Sequence, residues 1–228
     1  MNHTQRYGRW TSSQIWKLMT KDKSGAWGKP ALDYIEERRM ERRLHRSLST
    51  TASSGRAAEW GHACEPHAFE ALGLDYVMQS HITIPNPAMP QHVGSPDCTI
   101  QTPKGVTVVD IKCPYTLKSF CQLSDVKTSE QLKNEYPEYY WQLISNAILT
   151  GATICELVIF CPPIETVKEI IKDGMFRWLE FCDPEELPYL PAESEYPNLS
   201  TLKFTPSTED LAALLERVRA AEDKISDQ

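Results

Sequence analysis

Apolar positions along the chain change period several times, and each change marks an element. In 31–48, Leu32, Ile35, Met40, Leu44 and Leu48 recur among charged residues at helical spacing, which predicts an amphipathic helix. Residues 47–57 (SLSTTASSGRA) lose that period and read as an exposed loop. Trp60 to Leu72 has helical composition, with Pro66 acceptable only near a helix start or at a kink. Short strands are expected at 81–84 and 92–100. Val106 to Ile111 (VTVVDI) is β-branched and apolar on both sides, as in a central strand. Residues 129–150 are expected to form one long helix, on the spacing of Leu132, Tyr136, Tyr140, Leu143, Ala147 and Ile148, with Gly151 as its stop.

Further on, Ile154 to Cys161 reads as a second buried strand closed by Pro162-Pro163, and Phe176 to Phe181 as another strand. The Pro-, Glu- and Tyr-rich stretch 183–206 is expected to be irregular. A last helix starts near Thr208, where Glu209 and Asp210 suit the positive end of a helix dipole. The whole reads as one α/β domain: a basic, helical part at 1–58, a core at 59–162 and an extension at 163–228 in which no motif is recognised.

Composition narrows the class. With 228 residues, 41% hydrophobic and 24% charged, the chain is core-forming. No run approaches the roughly 18 apolar residues that span a bilayer, and Met1 to Trp10 holds no apolar leader segment, so neither membrane insertion nor a secretory signal is expected. The seven cysteines are odd in number and contain no C-x-x-C pair, which argues against a disulfide framework, a zinc ribbon or an iron–sulfur cluster and for reduced thiols in a cytoplasmic protein. Cys64-x-x-His67 resembles half a zinc site, but no second half is visible.

Charge is unevenly placed. The net charge of −7 speaks against a polyanion as partner, yet residues 1–62 hold 12 of the 24 Lys and Arg and only 6 of the 31 Asp and Glu. Arg38, Arg39, Arg42, Arg43 and Arg46 fall on one broad helical stripe. That stripe fits either a surface facing nucleic acid or a solvated face.

Candidate chemistry concentrates in Gly94 to Pro114, GSPDCTIQTPKGVTVVDIKCP. Asp97 ends a strand after Ser95-Pro96. Asp110 sits inside the apolar run, and Lys112 follows it on the same strand face. Charges in such a strand are costly unless compensated, and carboxylates converging on a divalent cation supply that compensation.

The pair S-P-D at 95–97 and D-I-K at 110–112 resembles the PD-(D/E)xK nuclease superfamily. Three further segments are similar to one branch of it, the phage lambda-type exonucleases, also called viral recombinase or alkaline exonucleases. They are W-G-H-A-C-E-P-H-A at 60–68, Lys112-Cys113-Pro114 followed by the helix YYWQLISNAILTG, and R-Y-G-R-W-T-S-S at 6–13.

The resemblance implies a restriction-endonuclease-like α/β core, a central mixed sheet flanked by helices. It implies Mg2+, two ions per site with Mn2+ able to substitute, held by Asp97, Asp110, Glu65 and the Ile111 carbonyl. Lys112 would support the attacking water and Gln142 position it. Arg6 and Ser13 would bind a 5′-phosphate, with Arg38, Arg42 and His62 as further DNA contacts. It also implies a ring-shaped homotrimer on linear double-stranded DNA, a single-strand annealing protein as partner, and the cytoplasm of a bacterium hosting a phage or prophage.

The implied activity is 5′-to-3′ digestion of one strand to 5′-mononucleotides, leaving 3′ overhangs for recombination. Alternatives are a restriction- or repair-type endonuclease and a non-catalytic DNA-binding scaffold. Two departures stand out: Asn146 replaces an aromatic usual four residues after the helix glutamine, and Ala58-Glu59 stands where the branch carries an apolar wedge.

Overall fold

A computed structural model describes residues 6–48, 55–73, 76–78, 82–103 and 105–226. Residues 49–54 of the expected loop and residue 81 of the first expected strand lie outside them. The elements run β1 (Trp10–Thr11), a 3-10 helix (Ser12–Met19), α1 (Lys29–Leu44), α2 (Arg56–Leu72), β2 (Val77–Met78), β3 (Ile84–Asn86), β4 (Met89–Gly94), β5 (Cys98–Thr102) and β6 (Gly105–Lys112). There follow α3 (Leu117–Ser124), α4 (Ser129–Glu135), α5 (Pro137–Thr150), β7 (Ile154–Phe160), α6 (Ile164–Asp173), two short 3-10 turns, β8 (Leu199–Phe204) and α7 (Thr208–Ser226). Among the described residues no helix is long and apolar enough to cross a membrane.

The central sheet has the order β2-β5-β6-β7-β8. β6 and β7 pair in parallel, joined by the crossover through α3, α4 and α5, and the other neighbours are antiparallel. Both middle strands are buried along nearly their whole length because both faces are covered. Val108, Leu157 and Ile159 pack towards Leu143, Ile144 and Ala147 of α5, Ile15 and Leu18 of the 3-10 helix, and Leu214 and Val218 of α7. Val109, Ile111, Val158 and Phe160 pack on the other side with Trp60, Cys64 and Phe69 of α2 and Val167 and Ile170 of α6. A small sheet, β1-β4-β3, joins the N-terminal segment to the strand that leads into Ser95-Pro96-Asp97.

Three expectations are corrected. The single helix 129–150 is two helices, because Pro137 occupies the first turn of α5 and holds Tyr136 before it at φ −134°, ψ 60°, outside the helical region. Phe176 to Phe181 is no strand: Arg177–Phe181 forms a 3-10 helix in which only Leu179 is buried.

The sheet edge that this segment would need is taken by β8, from the stretch expected to be irregular. β8 lies outermost, and Lys203 on it meets the buried carboxylate of Glu156 in β7 at 3.3 Å. The 3-10 helix begins at Ser12, and the Ser12 hydroxyl is buried against Ser145 Oγ (2.8 Å) and the Val93 carbonyl (3.4 Å).

Candidate active site

The β5–β6 hairpin sets the first two carboxylates. Its last cross-strand pair is Cys98 with Val109, so one more step of the same register sets Asp97 opposite Asp110. The β5 backbone has already left the ladder there, and the Asp97 carboxylate takes its place: Oδ2 accepts from the Ile111 amide at 2.7 Å. Strand alternation puts Asp110 and Lys112 on one side and Ile111 on the other, where it joins the apolar cluster under α2. Lys112 Nζ lies 2.7 Å from Asp110 Oδ2.

α5 crosses above this pair. Gln142 donates through Nε2 to Asp110 Oδ1 at 2.7 Å, and its Oε1 accepts from Lys112 Nζ at 3.2 Å. One turn earlier, the Tyr139 ring lies under the same ammonium group, 4.9 Å from centroid to nitrogen. Burial would discharge Lys112, but the charges of Asp110 and Asp97 outweigh it and hold its pKa above the ordinary lysine value. Asp97 moves the other way for an acid: burial first, then the Asp110 charge, push its carboxyl up to about 8, with Lys112 opposing and Glu65 adding to the rise.

α2 forms the opposite wall. Its buried face (Trp60, Ala63, Cys64, Ala68) grips the sheet, which turns Gly61, His62 and Glu65 towards a cleft of about 580 Å³. Asp97, Ile111, Lys112, Tyr139 and Gln142 line the same cleft. A second chamber of about 150 Å³ opens beside it. That chamber is lined by Arg6, Ser12, Ser13, Gly94 and Ser95, and shares His62, Glu65, Asp97 and Gln142 with the main cleft. Burial lowers the Arg6 pKa from the ordinary arginine value, and Arg6 Nη2 donates to Ser95 Oγ at 2.5 Å.

The segment 6–13 is held in this place by α1. Glu41, buried, accepts from the Gly8 amide at 2.7 Å and from Arg38 at 2.8 Å. Arg42 donates to the Gly8 carbonyl at 2.6 Å and reaches Glu222 of α7 with both terminal nitrogens at 2.7 and 2.8 Å. Gly8 has φ +70°, and a Cβ there would stand 2.6 Å from Arg42 Cγ, so only glycine fits.

Asp97, Lys112, Glu65, Gln142, Ile111, Arg6, Ser13 and His62 thus line two connected hollows, and Asp110, fully buried, lies directly behind Lys112 and Gln142. The structure places Arg42 in the scaffold, and Arg38 on Glu41 at the edge of a separate hollow of about 390 Å³ that also touches Arg6. Sequence reasoning missed Tyr139 and Ser95. Each had a signal: Tyr139 lies three residues before Gln142, on the same helical face, and Ser95 two before Asp97.

Among the described residues no three His, Cys, Asp or Glu side chains already stand as a closed metal shell. Asp97 is turned onto a backbone amide, and Asp110 onto Lys112 and Gln142. The donor set nonetheless suits a hard divalent cation: oxygen ligands from two facing carboxylates, with a third, Glu65, close enough to raise the charge cost of Asp97. A cation there would offset both the burial and the carboxylate repulsion that raise the Asp97 pKa.

A family model described as a YqaJ-like viral recombinase domain matches residues 3–153. A search of curated protein sequences returns no match. Among solved structures, LHK-Exo in complex with dAMP superposes with a TM-score of 0.67 at 16% identity, covering 99% of this chain and 91% of that one. The alkaline exonuclease LHK-Exo from Laribacter hongkongensis gives 0.66 at 16% identity over the same shares. A phage-related exonuclease from Haemophilus somnus 129PT gives 0.64 at 15%, covering 96% and 94%. At such identities the likeness speaks for the fold, a restriction-endonuclease-like mixed sheet flanked by helices.

Proposed function

The chain belongs to the YqaJ-like viral recombinase family, and on that footing we propose that it is a Mg2+-dependent 5′-to-3′ exonuclease acting on linear double-stranded DNA. The observation that carries this reading is the junction of the two hollows. The small chamber offers a guanidinium and hydroxyls, the chemistry of a terminal phosphate, and shares a wall with the carboxylate cleft. A 5′-phosphate on Arg6 and Ser13 directs the adjoining phosphodiester towards Asp97 and Asp110.

In this reading Asp97, Asp110, Glu65 and the Ile111 carbonyl hold two Mg2+ ions, or Mn2+ in their place. Bound there, the metal supplies neutralisation of the phosphodiester charge and a more acidic water. Lys112 holds a positive charge beside the reacting oxygens, and Gln142 keeps Lys112 and Asp110 in one arrangement. Water attacks the phosphorus, the 3′ oxygen leaves, and a 5′-mononucleotide is released. The strand that survives carries a 3′ overhang, the substrate of a single-strand annealing partner. A ring-shaped trimer gives processivity by enclosing the duplex, and the exposed Arg43 and Arg46 are better placed than Arg42 to face it.

The test offers linear duplex with 5′-phosphate or 5′-hydroxyl ends, and a closed circle, each with Mg2+ or EDTA. Loss of the 5′ strand alone, faster from phosphorylated ends and absent from circles and in EDTA, is expected. Cutting of the circle would convert the reading to an endonuclease, and unchanged binding and function in Asp110→Ala would leave a scaffold.

A further inference from the structure

The main cleft continues past the carboxylates, and nothing in the proposed chemistry uses its far end. Beyond Cys113 and Pro114 it is lined by Tyr115, Thr116 and Ser119, and α2 contributes Ala57, Ala58 and Gly61 to the same cleft. That wall is made of the smallest side chains, and a Cβ added at Gly61 would meet nothing within 4 Å. Tyr115 is held from two sides. Its ring stands edge-to-face on Trp60, at 6.3 Å and 61°, and on Trp178, at 6.1 Å and 85°. Trp60 is fully buried, so this frame is anchored in the core. Arg56, exposed at the start of α2, lies over the Trp178 ring at 5.3 Å and brings a positive charge to the rim.

We propose that Tyr115 is a nucleobase-stacking residue, and that the slot between it and Ala57, Ala58 and Gly61 takes a base of the DNA next to the scissile phosphate. The inference rests on the nuclease reading above. The physical reasons are three. An aromatic ring and small uncharged side chains line this part of the cleft, whereas Glu65, Asp97 and Lys112 bring charge to another part of it. A ring clamped by two neighbours loses little freedom when a base packs on it, so the contact is preorganised. Stacking on an aromatic ring accepts any base, which suits an enzyme that must step along arbitrary sequence. Arg56 at the rim meets the backbone of the nucleotide so held.

The full-length protein is tested by equilibrium binding in EDTA, where no cleavage occurs. The probes are a 5′-phosphorylated duplex and a set in which one abasic residue replaces each of the first four nucleotides of either strand. Tyr115→Leu keeps the bulk and removes the ring; Tyr115→Phe keeps the ring. Tyr115→Leu is expected to weaken the unmodified duplex about ten-fold, with Tyr115→Phe unchanged. At one abasic position the wild type and Tyr115→Leu should bind equally, because the base that stacks is gone. Equal weakening by Tyr115→Leu on every abasic probe would show a merely structural role and overturn the proposal. A second reading needs no variant: 2-aminopurine at the sensitive position should be quenched on binding to the wild type, and brightening would also overturn it. Absence of DNA binding by the wild type would instead bring down the nuclease reading, and this subsite with it.

Discussion

Gln142 bridges Asp110 and Lys112, giving its amide nitrogen to the carboxylate and its amide oxygen to the ammonium. The two partners fix which way the amide faces, since the reverse orientation would set oxygen against oxygen. Gln142→Ala removes two charge-assisted hydrogen bonds and is expected to lower kcat about 10- to 100-fold, with little change in KM. Gln142→Glu sets a third charge against Asp110 and should be worse than Ala. Steady-state kinetics on a 5′-phosphorylated duplex checks the order; Gln142→Glu more active than Gln142→Ala would show that the amide has no such role.

Among the described residues, Lys112 is the cation set on both Asp110 and Gln142. Lys112→Met preserves its length and is expected to cost about 100- to 1000-fold in kcat, the loss typical of one preorganised charge donor. Tyr139→Leu removes the ring below the ammonium and should cost several-fold, while Tyr139→Phe retains most activity. Equal losses in Leu and Phe would assign the effect to the hydroxyl instead.

Two groups make stability depend on pH in opposite senses. Asp97 has its folded pKa raised to about 8, so the native state keeps a proton that the unfolded chain sheds. Its contribution is complete below the unfolded carboxylate value and is lost as pH rises towards 8, at roughly 1.4 kcal/mol per pH unit. His92 is buried, its Nε2 2.7 Å from Ser145 Oγ, and burial lowers its pKa to about 4. Its contribution is complete above the unfolded value of 6.5 and is lost as pH falls towards 4. Metal-free wild type should therefore change little between pH 4 and 6.5 and lose stability from 6.5 to 8. His92→Gln should decline from pH 4 upward, and Asp97→Asn should be flat above 6.5. Denaturant titrations in EDTA measure all three; a wild type as stable at pH 8 as at 6.5 would contradict the Asp97 assignment.

Gly94 lets β4 lie against α5. A Cβ there would collide with Ser12 Oγ and stand 2.5 Å from Asn146 Oδ1 and 2.6 Å from Leu149 Cδ1. Gly94→Ala is expected to destabilise by about 1–3 kcal/mol, the usual cost of overpacking. Because the chain runs directly from Gly94 to Asp97, activity should fall even at temperatures where the variant is folded. A melting curve paired with kcat separates the two effects.

Arg42 and Glu222 tie α1 to α7, and Trp10 Nε1 donates to the same carboxylate at 2.8 Å. The last helix is thus part of the support for the 6–13 segment. A double-mutant cycle with Arg42→Ala and Glu222→Ala is expected to show coupling of about 0.5–3 kcal/mol. Additive losses would mean that the pair is only a surface contact.

Legibility differed by interaction range. Strand β6 was readable because burial on both faces leaves a continuous apolar run, and the same run made Asp110 conspicuous as a charge without local reason. Strand β8 was not readable. Its pairing depends on β7, some forty residues earlier, and as an edge strand it carries Lys203 where a central strand would be apolar. The arginine stripe was visible as charge, but the partners of Arg42, Gly8 and Glu222, come from distant parts of the chain, so its use as a tie within the scaffold was hidden.

By itself the amino-acid order determined the residue types of the site and their local facing. Asp110 and Lys112 share a side because strand side chains alternate, and Gln142 and Tyr139 share one because helices repeat every three to four residues. Only the tertiary structure decided that these pairs meet each other, that Asp97 fills the ladder position that β5 vacates, and that Arg6 shares a chamber with Asp97 and Glu65. Such meetings depend on hairpin register and on helices packed over a sheet, and both are settled by burial summed over the whole core.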